Sequence, residues 1–177
     1  MKCIYYLTST LESSHKISDD LNQAGVGDWF IHILSRDDSG IKREKLHSSN
    51  YLERLDILRY GLLGAMLGFA AGAIVALIVA QIKLFGEEIP AIVYYAIVVV
   101  FTLFGSWEGG LTGIATKNRK LSVFHDDLSA GKHLIMIYAS KAMEDTVKSV
   151  MAARHPEAKL AAVDSLFYNP FAALKRL

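Results

Sequence analysis

Cysteine is almost missing from this chain. Cys3 is the only one in 177 residues, which excludes an intramolecular disulfide and any zinc site built on cysteine pairs. An excess of one charge is missing too: 19 Lys and Arg stand against 18 Asp and Glu. Without a basic surplus nothing draws the chain to a nucleic-acid backbone, and no nucleic-acid partner is expected. The opening Met1-Lys2-Cys3-Ile4-Tyr5-Tyr6-Leu7 turns polar before an apolar signal core can form, so no cleavable secretory signal is expected. Charge is also nearly absent from two long internal stretches, and these decide the class of protein.

Apolar residues make up 52% of the chain and the mean hydropathy is +0.27. That is high for a soluble protein and low for one lying mostly in lipid, so the apolar excess must be concentrated. It falls in Tyr60 to Ala80 and in Ile89 to about Ala115, the second broken only by Thr102, Ser106, Glu108 and Thr112. About twenty apolar residues at ~1.5 Å each cross a hydrocarbon core of ~30 Å. A two-helix transmembrane hairpin over residues 60–116 is expected, with spans at about 60–82 and 89–115. Its connection, Gln81 to Glu88, is short enough to make the helices antiparallel neighbours, and Pro90 suits the first turn of the second. Lys42, Arg43, Lys45, Arg54 and Arg59 precede the hairpin and Lys117, Arg119 and Lys120 follow it, whereas the connection holds only Lys83. The basic flanks place both termini in the cytoplasm.

Glycines recur inside both spans. Gly61, Gly64, Gly68 and Gly72 mark one face of the first helix, extended by Ala65 and Ala76, and Gly105, Gly109 and Gly113 mark the second. This glycine-zipper spacing lets backbones approach closely, within one hairpin and, since Gly109-Gly110 supplies extra small surface, between protomers. Glu108 stands among them beside Trp107, where an acid is costly unless satisfied. Two readings are open: a carboxylate lining a polar pathway, or one paired with Arg59 or hydrogen-bonded to Ser106 or Thr112.

The flanking segments read as two matching halves. Residues 1–40 hold a strand at Lys2 to Thr8, a helix from Leu11 to about Ala24 capped by Ser9 or Thr10 and stopped by Gly25, and a strand at Trp29 to Leu34 closed by Arg36 to Gly40. Residues 41–59 form a juxtamembrane helix or linker. Residues 117–165 hold a helical continuation from Leu121 to Leu128 broken by Gly131, a strand at His133 to Tyr138, a helix from Lys141 to about Arg154, and a short strand at Ala158 to Val163. Together the halves give βαββαβ, so the expected class is an α+β membrane protein whose ferredoxin-like cytoplasmic domain is split by the hairpin. Such a sheet has an outer face and edge strands able to pair between protomers. The tail, residues 166–177, is aromatic and basic; Phe167, Tyr168 and Phe171 suit either the membrane surface or packing on the domain.

Several motifs resemble a bacterial family of two-helix membrane proteins labelled as a domain of unknown function or as general-stress-protein-like. They are Ile31-His32-Ile33-Leu34-Ser35-Arg36-Asp37-Asp38, Leu55-Asp56-Ile57, Trp107-Glu108-Gly109-Gly110-Leu111-Thr112-Gly113, Asn118-Arg119-Lys120-Leu121, Ala130-Gly131-Lys132 and His155-Pro156-Glu157-Ala158. The resemblance implies the membrane fold and a bacterial inner-membrane location, but no activity and no catalytic residues. The residues supply none either. His15, His32, His47, His125, His133 and His155 are scattered, Asp37-Asp38 and Asp126-Asp127 read as turn and helix-end acids, and no glycine loop cradles phosphate. No catalysis, cofactor or metal is expected. The expectation is a homo-oligomeric inner-membrane protein in contact with lipid, with a structural, regulatory or stress-related role; the alternative is an oligomeric ion or small-solute channel using Glu108.

Overall fold

The computed structural model describes residues 1–43, 47–49, 51–82, 89–165 and 169–177. Most of the connection that joins the long helices (Lys83 included), Lys45, and Phe167 and Tyr168 of the tail lie outside the described residues. The chain divides into two compact units, residues 1–50 with 119–177, and residues 51–118.

In the first unit the order is β1 (Lys2–Thr8), α1 (Leu11–Gln23), a 3₁₀ turn (Asp28–Phe30), β2 (Ile31–Leu34) and α2 (Asp38–Arg43). After residues 51–118 it resumes with α6 (Arg119–Ser122), α7 (His125–Ser129), β3 (His133–Ala139), α8 (Glu144–Arg154) and β4 (Lys159–Asp164). The four strands among the described residues form one antiparallel sheet in the order β2-β3-β1-β4. Ile4 faces Ile137 across β1 and β3, and Ile31 faces the same Ile137 from β2, so the apolar side chains of three strands align. Thr10 caps α1, its hydroxyl accepting from the Ser13 N–H at 3.2 Å. Gly25 and Gly131, at φ +92° and +83°, turn the chain after α1 and α7.

Each face of the sheet is covered. Ile17 and Leu21 of α1 and Val147 and Met151 of α8 bury Ile4, Tyr6, Ile33 and Ile135 on one side. Leu121, Phe124 and Leu174 bury Tyr5, Leu7, Leu134, Met136 and Tyr138 on the other, with the Phe124 ring stacked on Tyr5 at 5.6 Å between centroids. Each edge strand also takes a local backbone contact from the chain. Beside β2, the Ile33 N–H donates to the His47 carbonyl at 2.9 Å and the Ser49 N–H to the Ile33 carbonyl at 3.2 Å. Beside β4, the Leu177 N–H donates to the Ala161 carbonyl at 2.9 Å. Among the described residues, each edge strand therefore carries a backbone contact from the chain itself at one place. Leu174 also places the described part of the tail on the sheet, while Phe171 stays 42% exposed.

The second unit holds α3 (Tyr51–Arg54), α4 (Ile57–Ile82) and α5 (Ala91–Ile114). Helices α4 and α5, of 26 and 24 residues, are long and apolar enough to cross a membrane. A core helix of a soluble protein would be covered; here only 17% of the most apolar window of α4 and none of that of α5 is buried. Leu67, Ile92 and Leu103 are 65–72% exposed, an apolar surface of the kind that marks a membrane or protein contact. Helix α5 starts after Pro90, which sits at the N-cap with φ −55° rather than within the first turn. At the other end of the hairpin the two strands of chain are tied together. The Asp56 N–H donates to the Thr116 carbonyl at 3.0 Å, and Asn118 donates from its N–H to the Arg54 carbonyl and from Nδ2 to the Glu53 carbonyl, both at 2.8 Å. The chain therefore enters and leaves the hairpin at one point.

Elsewhere the boundaries differ for local reasons. Trp29 and Phe30 lie in the 3₁₀ turn, not in β2, and Trp29 is 76% exposed. The expected turn at Arg36 to Gly40 becomes the cap and first turn of α2, with Asp37 Oδ1 accepting from the Gly40 N–H at 2.9 Å. The helical continuation after the hairpin breaks into α6 and α7 so that Leu121 and Phe124 can both reach the sheet.

Candidate functional site

The glycines settle how α4 and α5 meet. A Cβ placed on Gly64 would overlap the Gly105 carbonyl oxygen and lie 3.1 Å from Gly109 Cα. One on Gly68 would overlap the Phe101 carbonyl, and one on Gly72 would come within 2.9 Å of Val98 Cα. Gly105 and Gly109 reciprocate against Gly64 and Tyr60, and Gly113 packs on Ile57, its Cβ position 2.6 Å from Ile57 Cα. The expected close-packing residues therefore lie in the interface of the hairpin itself. Gly61 has ordinary clearance, 3.8 Å from the Ser106 carbonyl, and Gly110 faces open space. The small surface left over for another chain is much less than the sequence suggested.

What the glycines leave beside their seam is an open groove of about 550 Å³. Tyr60, Leu63 and Leu67 wall one side, Phe101 and Phe104 the other, and Glu108 and Thr112 are its polar lining. Glu108 is exposed and lies ~9 Å along the axis from Ile114 at ~1.5 Å per residue. The partners expected for it are engaged elsewhere. Arg59 Nη1 donates to Asp56 Oδ2 at 3.2 Å and its guanidinium lies over the Tyr60 ring at 5.6 Å. Thr112 Oγ1 donates to the backbone carbonyl of Glu108 at 3.2 Å, not to its side chain. Ser106 makes no side-chain hydrogen bond among the described residues. The Glu108 carboxylate has no hydrogen-bond or ion-pair partner there either. Sequence reasoning located this residue; the competition of Asp56 for Arg59 lay three residues away on the next helical turn and was legible in principle.

In the sheet unit most of the histidines and acids that the sequence offered are engaged with neighbouring side chains, while Thr8 Oγ1 is buried without a hydrogen-bond partner among the described residues. Among the described residues no group of three or more His, Cys, Asp or Glu is placed to hold a metal ion. His155, buried, reaches Asp20 Oδ2 from Nε2 at 2.9 Å and faces Glu157 Oε1 at 3.4 Å, and the Ser13 hydroxyl donates to the same Glu157 oxygen at 2.7 Å. These bonds tie α1 to the end of α8 and leave the serine bound to a carboxylate, not to the imidazole. His32 stands edge-on to the Tyr138 ring at 5.1 Å. His133 Nδ1 hydrogen-bonds Ser35 Oγ at 2.8 Å, but Ser35 also accepts from the Asp37 N–H at 3.0 Å, and both side chains are buried. A nucleophile would need access that this serine lacks.

Two of these environments set a pH dependence. Glu144 accepts from Lys148 Nζ at 2.7 Å and Lys2 Nζ at 2.8 Å, and these bonds lower its carboxyl from 4.5 to about 2. Burial holds His133 below its ordinary 6.5 against the opposing pull of Asp37. Both groups have depressed values in the folded chain, so both contributions are present above the unfolded values and lost as pH falls. Stability should decline first below pH 6.5 and again from 4.5 towards 2. Thermal melts of the protein in micelles across this range should show Glu144→Gln flattening only the lower limb; an unchanged lower limb would remove Glu144 from the account. No protein-family model, curated protein or solved structure matches the chain.

Proposed function

We propose that the chain is an integral protein of a bacterial inner membrane that assembles with copies of itself through the groove at Glu108, and that its role is structural or regulatory. The observation that carries this is the unpartnered Glu108 carboxylate inside an apolar helix pair. Lipid offers it no hydrogen bond, and its own hairpin offers none; a polar group at that depth belongs against another protein surface. A second copy presents the same groove, where a carboxyl and the Thr112 hydroxyl can meet across a two-fold axis.

The strand order β2-β3-β1-β4, with one βαβ unit on each side of the hairpin in sequence, supports a ferredoxin-like domain split between its second and third strands. The basic flanks put that domain in the cytoplasm. The stress-related part of the role rests on the family resemblance of the motifs. A second reading, an oligomeric channel, is favoured by the same carboxylate if several copies turn Glu108 towards a shared axis.

Native mass in lipid nanodiscs tests the assembly. The wild-type chain should form a defined oligomer. Glu108→Gln, which keeps hydrogen bonding, should retain it, and Glu108→Leu should weaken association on the order of 5- to 30-fold, the range of an interhelical hydrogen bond. A monomeric wild type overturns the proposal. Ion flux in liposomes that is unchanged by Glu108→Gln would remove the channel reading and leave the assembly.

A further inference from the structure

Arg59 is the only charged residue of α4, and Glu108 the only one of α5. They do not pair. Arg59 Nη1 donates to Asp56 Oδ2 at 3.2 Å, and Asp56 is buried just before α4 begins. The one base of the two helices is thus committed, and the one acid is left without a cation. We propose that assembly through the groove is linked to protons: copies join with a Glu108 carboxyl protonated, and the assembly loosens as pH rises. This inference rests on the self-assembly proposed above and adds how it is regulated.

The bilayer limits which groups can face Glu108. Copies inserted in the same sense are related by an axis along the membrane normal, and rotation about that axis keeps every residue at its own depth. The groups of the next copy that can meet Glu108 are those of the same groove at that level. They are Glu108 itself, Tyr60, which lies beside Gly109 across the seam, and Thr112 one helical turn away. None of them is a cation. The Tyr60 ring already carries the Arg59 guanidinium at 5.6 Å, and the Thr112 hydroxyl donates to the Glu108 backbone carbonyl at 3.2 Å. Lys117 stands three residues beyond the end of α5.

Two carboxylates brought together without a cation repel, and the low dielectric of a helix interface strengthens the repulsion. Such a pair holds a proton. The shared proton makes one carboxyl a donor and the other an acceptor, so the contact that would repel when both are ionised becomes the bond that joins the copies. A separate copy has no second carboxylate against it. Protonation is therefore favoured by assembly, and by linkage whatever favours protonation favours assembly.

The test is energy transfer between donor- and acceptor-labelled copies of the full chain in liposomes, with the same buffer inside and outside. Dilution with lipid gives an association constant at each pH. From about pH 5 to about pH 8 the wild-type constant should fall at least ~10-fold, the effect of one linked proton over a single pH unit. Glu108→Gln is the permanently neutral counterpart. It should associate as wild type does in acid and stay flat across the range; His133 and Glu144 titrate alike in both chains, so the comparison removes them. Infrared difference spectra between assembled and diluted samples should show the C=O stretch of a protonated carboxyl in wild type and none in Glu108→Gln, a signature that packing alone does not produce. A wild-type constant that is flat with pH, or one that Glu108→Gln follows in parallel, overturns the proton linkage and leaves the assembly standing. Wild-type chains that stay separate at every pH overturn the assembly and the linkage with it.

Discussion

Gly64→Ala should drive α4 and α5 apart and destabilise the hairpin by about 1–3 kcal/mol, the usual range for overpacking. The added methyl would overlap the Gly105 carbonyl and sit 3.1 Å from Gly109 Cα. Both obstacles are backbone, so no rotamer change relieves them. The helix must translate, and Gly68 and Gly72, which rest on Phe101 and Val98 in the same seam, must move with it. Alanine recovers up to ~1 kcal/mol of intrinsic helix preference, which sets the lower end of the range; Gly64→Leu lacks that limit and should lose the paired state. Gly110→Ala is the matched control, since its Cβ meets nothing within 4 Å, and it should be neutral or slightly stabilising. Denaturation by SDS in mixed micelles, read with spin labels on the exposed Leu67 and Leu103, gives both stability and separation. Equal behaviour of Gly64→Ala and Gly110→Ala would mean that the seam is not where these glycines place it.

The hairpin was legible because its constraints are local in sequence. Unbroken apolar runs and glycines three and four residues apart survive as a pattern whatever else the chain does. The sheet was legible as strands but not as a layered unit. All seven residues of β3 are buried, so the alternation that would have marked an inner and an outer face is absent, as in any strand covered on both sides. The second cover consists of α6 and α7, four and five residues long, with Leu174 from the tail. Segments that short carry no period to read. Trp29 misled in the opposite sense: an aromatic run suggests a strand, but the two aromatics before Ile31 sit in a turn.

The candidate sites divide along the same line. Glu108 stands out in sequence because an acid inside an apolar run is rare, whereas its lack of a partner depends on Arg59 having chosen Asp56. The buried Thr8 hydroxyl, without a partner among the described residues, has no sequence signature at all, because that is a property of three-dimensional packing and leaves no mark in composition.

Lys120→Met should cost the sheet unit about 3 kcal/mol, the low end for breaking a buried ion pair from one side. Lys120 Nζ donates to Asp164 Oδ2 at 2.7 Å, with side-chain exposures of 11% and 6%. The bond holds α6 against the last residue of β4, and thereby fixes Leu121 and Phe124 over the sheet. Methionine keeps most of the lysine stem and removes the charge, so the loss measures the removal of this charge-assisted bond from a buried position. The partner substitution turns this into a difference measurement. Lys120→Met with Asp164→Leu removes both charges and should recover much of the loss, giving a coupling of about 1–3 kcal/mol. An exposed pair provides the contrast: Lys16 and Glu12, also 2.7 Å apart but 66% and 77% exposed, should show little or no coupling. Urea melts of the four variants followed by near-ultraviolet circular dichroism supply the cycle. Additive losses at Lys120 and Asp164 would show that the pair is solvated in practice, and that the apolar contacts of Leu121, Phe124 and Leu174 hold the second face of the sheet.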